Sequence, residues 1–295
     1  VNGVESYAGV GIDRWQMGNL LTLAGDTGTY KTTTAVHLCF RALENNEDLY
    51  VYYFMKEQPS IEVWIKVFSR YTEYGYTEYG YTEYGYTEIQ RMLSANYAEG
   101  MKTIRSALGE NVREIMQRFI VIDQSTFDTP MDVAAMLRTF SARTPKMMWV
   151  VDYITRLDYG GRAEHFNAYY AAGLEVLKNA ALHTQSFGIL IAQLKDGWNI
   201  EGYSSRPRKG FPNRSHIIWS SELKNLSSYI LMLYHPGSYF PEPREFLIYT
   251  FVKVRHVDAA RRLGFVVNGE LQTLYPPNDA QDFAISALIQ RYTGD

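Results

Sequence analysis

Cysteine is nearly absent: Cys39 is the only one among 295 residues. That excludes an internal disulfide and a cysteine-built metal cluster, and it suits a reducing interior. Charge of one sign is also lacking, the net charge being −3. A chain-wide cationic attraction to nucleic acid is therefore excluded, and any such binding has to come from local basic clusters. Long apolar runs are missing as well. Stretches such as "GILIA" fall far short of the roughly 20 residues that cross a bilayer. No basic segment leads into an apolar stretch at the amino end, so neither a secretory leader nor a membrane partner is expected. What the chain has is 46% hydrophobic against 21% charged residues, enough for a sizeable core in one large or two small domains.

Short apolar runs alternate with longer stretches of helical periodicity. Residues 20–24, 49–54, 119–122, 148–151 and 188–192 read as buried strands, and 32–45, 61–70, 89–108, 130–142 and 165–184 as helices. Strand and helix in alternation predict an α/β fold with a mainly parallel sheet covered on both faces. After residue 225 the pattern changes. Residues 228–234, 246–254, 264–267 and 271–274 read as strands with no room for crossover helices, hence as antiparallel additions at one edge. A last helix is expected over 279–292. No linker stands out, so 1–295 reads as one domain.

One segment is of low complexity. Residues 71–88 are "YTEYG" three times and then "YTE", and they hold seven of the 24 tyrosines. A five-residue step turns about 140° around a helix axis, so equivalent positions do not share a face, and the recurring glycine weakens a helix. Two readings stay open: an inserted exposed loop or hairpin, or a tyrosine-rich surface that packs on a neighbouring subunit or ligand.

The chemistry-bearing residues sit where predicted strands end. After "LLTLA" comes "GDTGTYKT", from Gly25 to Thr32. Small residues let successive backbone N–H groups approach phosphates, a lysine reaches the outer phosphates, and a hydroxyl serves Mg²⁺. Gly25, Gly28, Lys31 and Thr32 fit those needs, with Tyr30 where the pattern G-x-x-x-x-G-K-[ST] has its second glycine. A working loop requires Tyr30 to take a backbone open to a Cβ, with φ < 0 expected, and its ring to point away from the phosphates. Asp152 ends "MMWVV", where an acid can order Mg²⁺ through water. Glu57, after the strand in "YVYYFMKEQP", can take a proton from an attacking water. Gln193 in "GILIAQLKDG" can sense a terminal phosphate. Four polar groups past four parallel strands match the place where open α/β sheets bind ligands.

Two further features are basic. In "FVKVRHV", Lys253 and Arg255 share one strand face and could reach a nucleotide held by a neighbouring subunit, as an arginine finger does. Residues 195–221 are rich in Gly, Ser, Pro and Asn and carry Arg206, Arg208, Lys209 and Arg214, interleaved with Trp198, Tyr203 and Phe211. Such a loop suits single-stranded nucleic acid, by phosphate contact and stacking, or is a flexible basic surface loop.

From about residue 12 to 276 these segments, in order, resemble the RecA-like motor domain of DnaB-type replicative helicases and phage primase–helicases. "LLTLAGDTGTYKTTTA", "VYYFMKEQP", "WVVDYITRL", "LEVLKNAALHTQSFGILIAQL", "SSELKNLSSYILML" and "FVKVRHVDAARRLGFV" carry the likeness. The resemblance implies a RecA-like P-loop NTPase fold that uses ATP and Mg²⁺. It implies an ATP cradle of Gly25, Asp26, Thr27, Gly28, Thr29, Tyr30, Lys31, Thr32 and Thr33, with Thr32 and Asp152 at the metal. Lys31, Glu57 and Gln193 then act in the reaction, and Lys253 and Arg255 act across a subunit boundary. Also implied are a hexameric homo-oligomeric ring, single-stranded DNA on the 195–221 loop, a primase or loader on another chain, and the cytoplasm of a bacterial host with a phage or mobile-element origin. The sequence departs from the family at Tyr30, at Ala192 where Ser is common, and at His256 and Val257 after the Lys-x-Arg; the tyrosine repeat has no counterpart there. Competing readings are a RecA-like scaffold or helicase loader that does not unwind, and a recombination ATPase.

Overall fold

In the computed structural model, residues 3–5, 14–73, 85–160, 166–195, 211–218, 220–238, 243–254, 262–269 and 273–293 are described. Two short strands, β1 (Gly3–Glu5) and β2 (Arg14–Gln16), pair antiparallel ahead of the main sheet. Among the described residues that sheet has nine strands. The parallel ones are β3 (Leu20–Gly25), β4 (Leu49–Met55), β5 (Phe119–Ile122), β6 (Lys146–Asp152), β7 (Phe187–Gln193) and β8 (Tyr229–Tyr234). The antiparallel ones are β9 (Phe246–Val254), β10 (Arg262–Asn268) and β11 (Thr273–Tyr275). Their order is β11-β10-β9-β8-β3-β7-β6-β4-β5. The central strands are buried along nearly their whole length, as near-continuous aliphatic runs require when helices cover both faces.

One expectation is corrected. The run 228–234 is not an antiparallel addition: β8 pairs parallel with β3, with Leu21 opposite Tyr229 and Gly25 opposite Leu233. The crossover that permits this is the long connection after β7, which ends in a short helix, α8 (Ser220–Leu226). Among the described strands of the main sheet, antiparallel pairing begins with β9.

The helices form two layers. On one face α1 (Lys31–Glu44), α2 (Ser60–Glu73), α3 (Tyr86–Ala95) and α4 (Tyr97–Ala107) pack through Phe40, Val63, Val67, Ile89 and Ile104. There α5 (Glu110–Gln117) adds partly buried Val112, Ile115 and Met116. On the other, α6 (Pro130–Ser141), α7 (Phe166–His183), α8 and α9 (Asp279–Thr293) bury Val133, Leu137, Leu174, Leu177, Leu223 and Leu288. The single helix expected over 89–108 is two. Asn96 leaves helical geometry at φ −156° and its side chain accepts from the Glu99 N–H, so it ends α3 and caps α4. The tyrosine repeat is not wholly a loop or hairpin: residues 71–73 finish α2, residues 86–88 open α3, and Tyr71 is buried. Residues 74–84 lie outside the described residues. Among the described residues no helix is long and apolar enough to cross a membrane.

Candidate nucleotide site

The loop between β3 and α1 shapes one cleft. Gly25 has no room for a side chain, since a Cβ there would stand 2.4 Å from Thr29 Oγ1 and 3.1 Å from Leu233 Cβ. Gly28 turns the chain at φ +76° with open space beside it, the left-handed region that glycine enters at no steric cost. Thr29 Oγ1 and Lys31 Nζ both donate to the Asp26 carbonyl, at 2.7 and 2.6 Å. Thus the lysine folds back over the loop. The first turn of α1 has neither a side-chain cap nor an acidic residue. By contrast, α6 has Pro130 at its start and a reciprocal Thr129–Asp132 capping box. An N-terminus without a cap of its own leaves its N–H groups for an anion.

Tyr30 overturns an expectation. Its backbone is left-handed, φ 58° and ψ 30°, not at φ < 0. This conformation is set by the turn into α1, whose first helical bond runs from Thr34 N–H to the Tyr30 carbonyl at 2.8 Å. The ring stands edge-on to His235, centroids 5.5 Å apart, and its hydroxyl lies against Gly269. It therefore leans towards the β8 and β10 side of the sheet. A side chain in this region costs about 1–2 kcal/mol. Tyr30→Gly should therefore leave nucleotide binding intact, whereas Tyr30→Val, β-branched, should melt at a lower temperature than either. Thermal melts with nucleotide titrations check this, and equal melting of the Val and Gly variants would contradict it.

The neighbouring strands bring in the rest. Register places Gln193 beside Gly25 and Asp152 beside Met55, so the carboxyl ends of β3, β7, β6 and β4 line up. Asp152 is buried, and its Oδ2 accepts from Thr32 Oγ1 and from Tyr53 OH, both at 2.8 Å. Burial raises its pKa, opposed by those two hydrogen bonds and by the Lys31 charge. Burial likewise lowers the pKa of Lys31, opposed by the carboxylates of Asp152, Asp26 and Glu57. Each charge is thus held in place by the other. Two oxygen ligands side by side, a hydroxyl and a carboxylate, suit a hard cation such as Mg²⁺. The donor set and the glycine-floored cradle both fit Mg²⁺–ATP.

Glu57 lies beyond β4, with Arg156 Nη2 at 3.7 Å from its carboxylate. Residue 56 anchors it: the Lys56 N–H donates to the Asp152 carbonyl at 2.8 Å, and Lys56 Nζ to the Phe127 carbonyl at 2.8 Å and Asp128 Oδ1 at 2.5 Å. Sequence reasoning missed Tyr153. Its hydroxyl accepts from Gln193 Nε2 at 3.0 Å and lies within the influence of the Glu57 carboxylate. Burial, then Glu57, raises its pKa, so the hydroxyl stays protonated beside that carboxylate. Tyr53, on Asp152, was missed too. Its position within the aromatic run of β4 reads as core, and only the register with β6 puts its hydroxyl on the acid. Thr27, Gly28, Thr29, Tyr30, Lys31, Thr32, Thr33, Glu57, Gln58, Lys66, Tyr153 and Gln193 line an open cavity of about 370 Å³, within the range of small-molecule clefts.

The basic residues are elsewhere. β9 runs antiparallel to β8 and places Val254 opposite Tyr229, which stands level with Leu21. The end of β9 is thus four residues, about 13 Å at the rise of a strand, back from Gly25. Lys253 Nζ donates there to the Lys224 carbonyl of α8. Lys253 does not line the cleft of its own chain. Arg255, Arg206, Arg208 and Lys209 lie outside the described residues; Arg214 is exposed on a 3-10 turn, Arg214–His216.

No family model matches the chain, and no curated protein sequence does either. Solved structures do. The ATPase domain of a helicase matches with a TM-score of 0.71 at 15% identity, over 90% of this chain and 86% of that one. A DnaB-like replicative helicase, solved for its interactions with primase, matches with a TM-score of 0.72 at 14% identity, over 90% of this chain. The match spans only 58% of that helicase. The RadB recombinase matches less closely, with a TM-score of 0.54 at 16% identity, over 92% of this chain and 96% of its own. These identities speak for the fold: the chain has the RecA-like P-loop fold found in the ATPase domains of DnaB-type helicases.

Proposed function

We propose that this protein hydrolyses ATP and uses the reaction to move single-stranded DNA through a ring of its own copies, as a replicative helicase. The observation that carries the reading is the convergence of Lys31, Thr32, Asp152, Glu57 and Gln193 on one cleft at the carboxyl ends of four neighbouring strands. Lys31 and the loop N–H groups would hold the phosphates. Thr32 and Asp152 would hold Mg²⁺, which when bound neutralises charge on the phosphate oxygens. Glu57 would take the proton of the attacking water, held for that task by Tyr153 and Arg156. Gln193 donates to the Tyr153 hydroxyl beside Glu57, so a change at the terminal phosphate would be felt at the base. Lys253 and Arg255 would serve the cleft of the next subunit, and Arg206, Arg208, Lys209 and Arg214 the nucleic acid.

In this reading the assembly is a hexameric ring, a primase or loader comes on another chain, and the protein works in the cytoplasm of a bacterial host, encoded by a phage or mobile element. Tyr30 in the phosphate loop favours a second reading, a RecA-like scaffold or helicase loader that binds nucleotide without unwinding. The two separate in one assay. The helicase reading expects single-stranded DNA to stimulate ATPase activity at low salt, with the stimulation falling as salt rises. An assembled particle that single strands leave unstimulated would leave the scaffold.

A further inference from the structure

One cation of the cleft belongs to none of the motifs. Lys66 stands on α2 and lines the same cavity as Lys31, Glu57, Tyr153 and Gln193. It is partly buried, yet among the described residues its ammonium makes neither a hydrogen bond nor an ion pair. Its near partner is the ring of Tyr86, 4.6 Å from Nζ to centroid. Burial lowers its pKa, opposed by Glu62 and Asp152, so the ammonium lies within the field of the same acid that holds Thr32. An ammonium has three donors, and a π face satisfies it less well than a charged oxygen does. Tyr86 is in turn fixed by its hydroxyl to Glu62, and it is both the last tyrosine of the repeat and the first residue of α3.

We propose that Lys66 is a ligand of the nucleotide's terminal phosphate, and that its transfer from the Tyr86 ring to that phosphate reports the nucleotide state to α3. The proposal rests on the nucleotide-site reading above. Two observations select the terminal phosphate. The loop N–H groups and Lys31 come from the turn between β3 and α1, while Lys66, like Glu57 and Gln58, comes from the chain that follows β4, which β7 and β6 separate from β3. In the proposed reading Glu57 marks where the water attacks. The tyrosine repeat, otherwise without a part in the ATPase, is then tied through its last residue to the event in the cleft.

The test is equilibrium binding of a non-hydrolysable ATP analogue and of ADP to the assembled protein. Lys66→Met should weaken the analogue about tenfold, the size of one charge-assisted hydrogen bond, and leave ADP within about twofold. Lys66→Gln should do the same, and Lys66→Arg should recover most of the loss. In hydrogen exchange, the amides at the start of α3 should respond to the analogue but not to ADP, and the response should vanish in Lys66→Met. An unchanged ratio of analogue to ADP affinity overturns the phosphate contact. A tenfold loss with no exchange response overturns the relay to α3. Wild-type protein that binds neither nucleotide sinks the underlying nucleotide-site reading, a result that the variant ratios cannot mimic.

Discussion

Removing Arg255 should lower ATP turnover about 10³–10⁵-fold, the range that arginine fingers contribute in phosphoryl transfer, while leaving nucleotide affinity and assembly in place. The geometry behind the expectation is the antiparallel return of β9. It brings Lys253 and Val254 to the amino end of β8, about 13 Å along the sheet from Gly25 at the rise of a strand. There Lys253 donates to the Lys224 carbonyl of its own chain and does not line its own cleft. In the proposed reading Arg255, two positions further along the sequence, serves the cleft of the next subunit. Mixing tests this. Subunits with Arg255→Ala keep an intact cleft but offer no arginine, and subunits with Lys31→Ala offer an arginine but have no working cleft. Neither should turn over alone. Mixed assemblies should regain activity, because some boundaries unite the intact halves. Normal turnover by Arg255→Ala, or mixtures as inactive as the parents, would remove the trans role.

Glu57→Gln should cost about 10²–10⁴-fold in kcat, the usual share of a general base, with ATP affinity nearly unchanged. Gln keeps the size of Glu beside Tyr153, so the cleft keeps its shape. What it loses is the capacity to take a proton and the attraction to Arg156, 3.7 Å away. That contact is half-exposed and worth little to stability, so the variant should melt close to the wild type. Steady-state rates with a parallel binding titration separate the two quantities. A variant that turns over normally would move the base elsewhere, and one that fails to bind ATP would make Glu57 a binding residue instead.

Much of this was legible in the sequence because the signals are local. An aliphatic run of five or six residues that ends in a polar residue is a buried parallel strand meeting solvent, and β3, β4, β6 and β7 each appear within two residues of where that pattern puts them. Asp152 and Gln193 follow from being the last residue of such a run. The features that escaped depend on partners distant in the chain. β8 looks like an antiparallel strand until its neighbour is known to be β3. Tyr53 looks like core until register sets it on Asp152. Lys66 is one more lysine on an amphipathic helix until α2 is laid beside the cleft. Asn96 is the exception, a local signal, since an Asn three residues before a Glu marks a helix start.

By itself the sequence determined the class of the fold and the place of the glycine-containing loop between β3 and α1, because backbone propensity, period and side-chain type are properties of short segments. It also set the spacing that makes four strand ends carry four polar groups. Only the tertiary structure decided how these groups meet: Thr32 and Tyr53 on one carboxylate, Tyr153 between Gln193 and Glu57, Lys66 over Tyr86, and Tyr30 held at φ 58° by the turn into α1. The reason is physical. Hydrogen bonds between residues 40 to 120 positions apart depend on strand order and register, and these are set by how the two helical layers share the burial of one sheet.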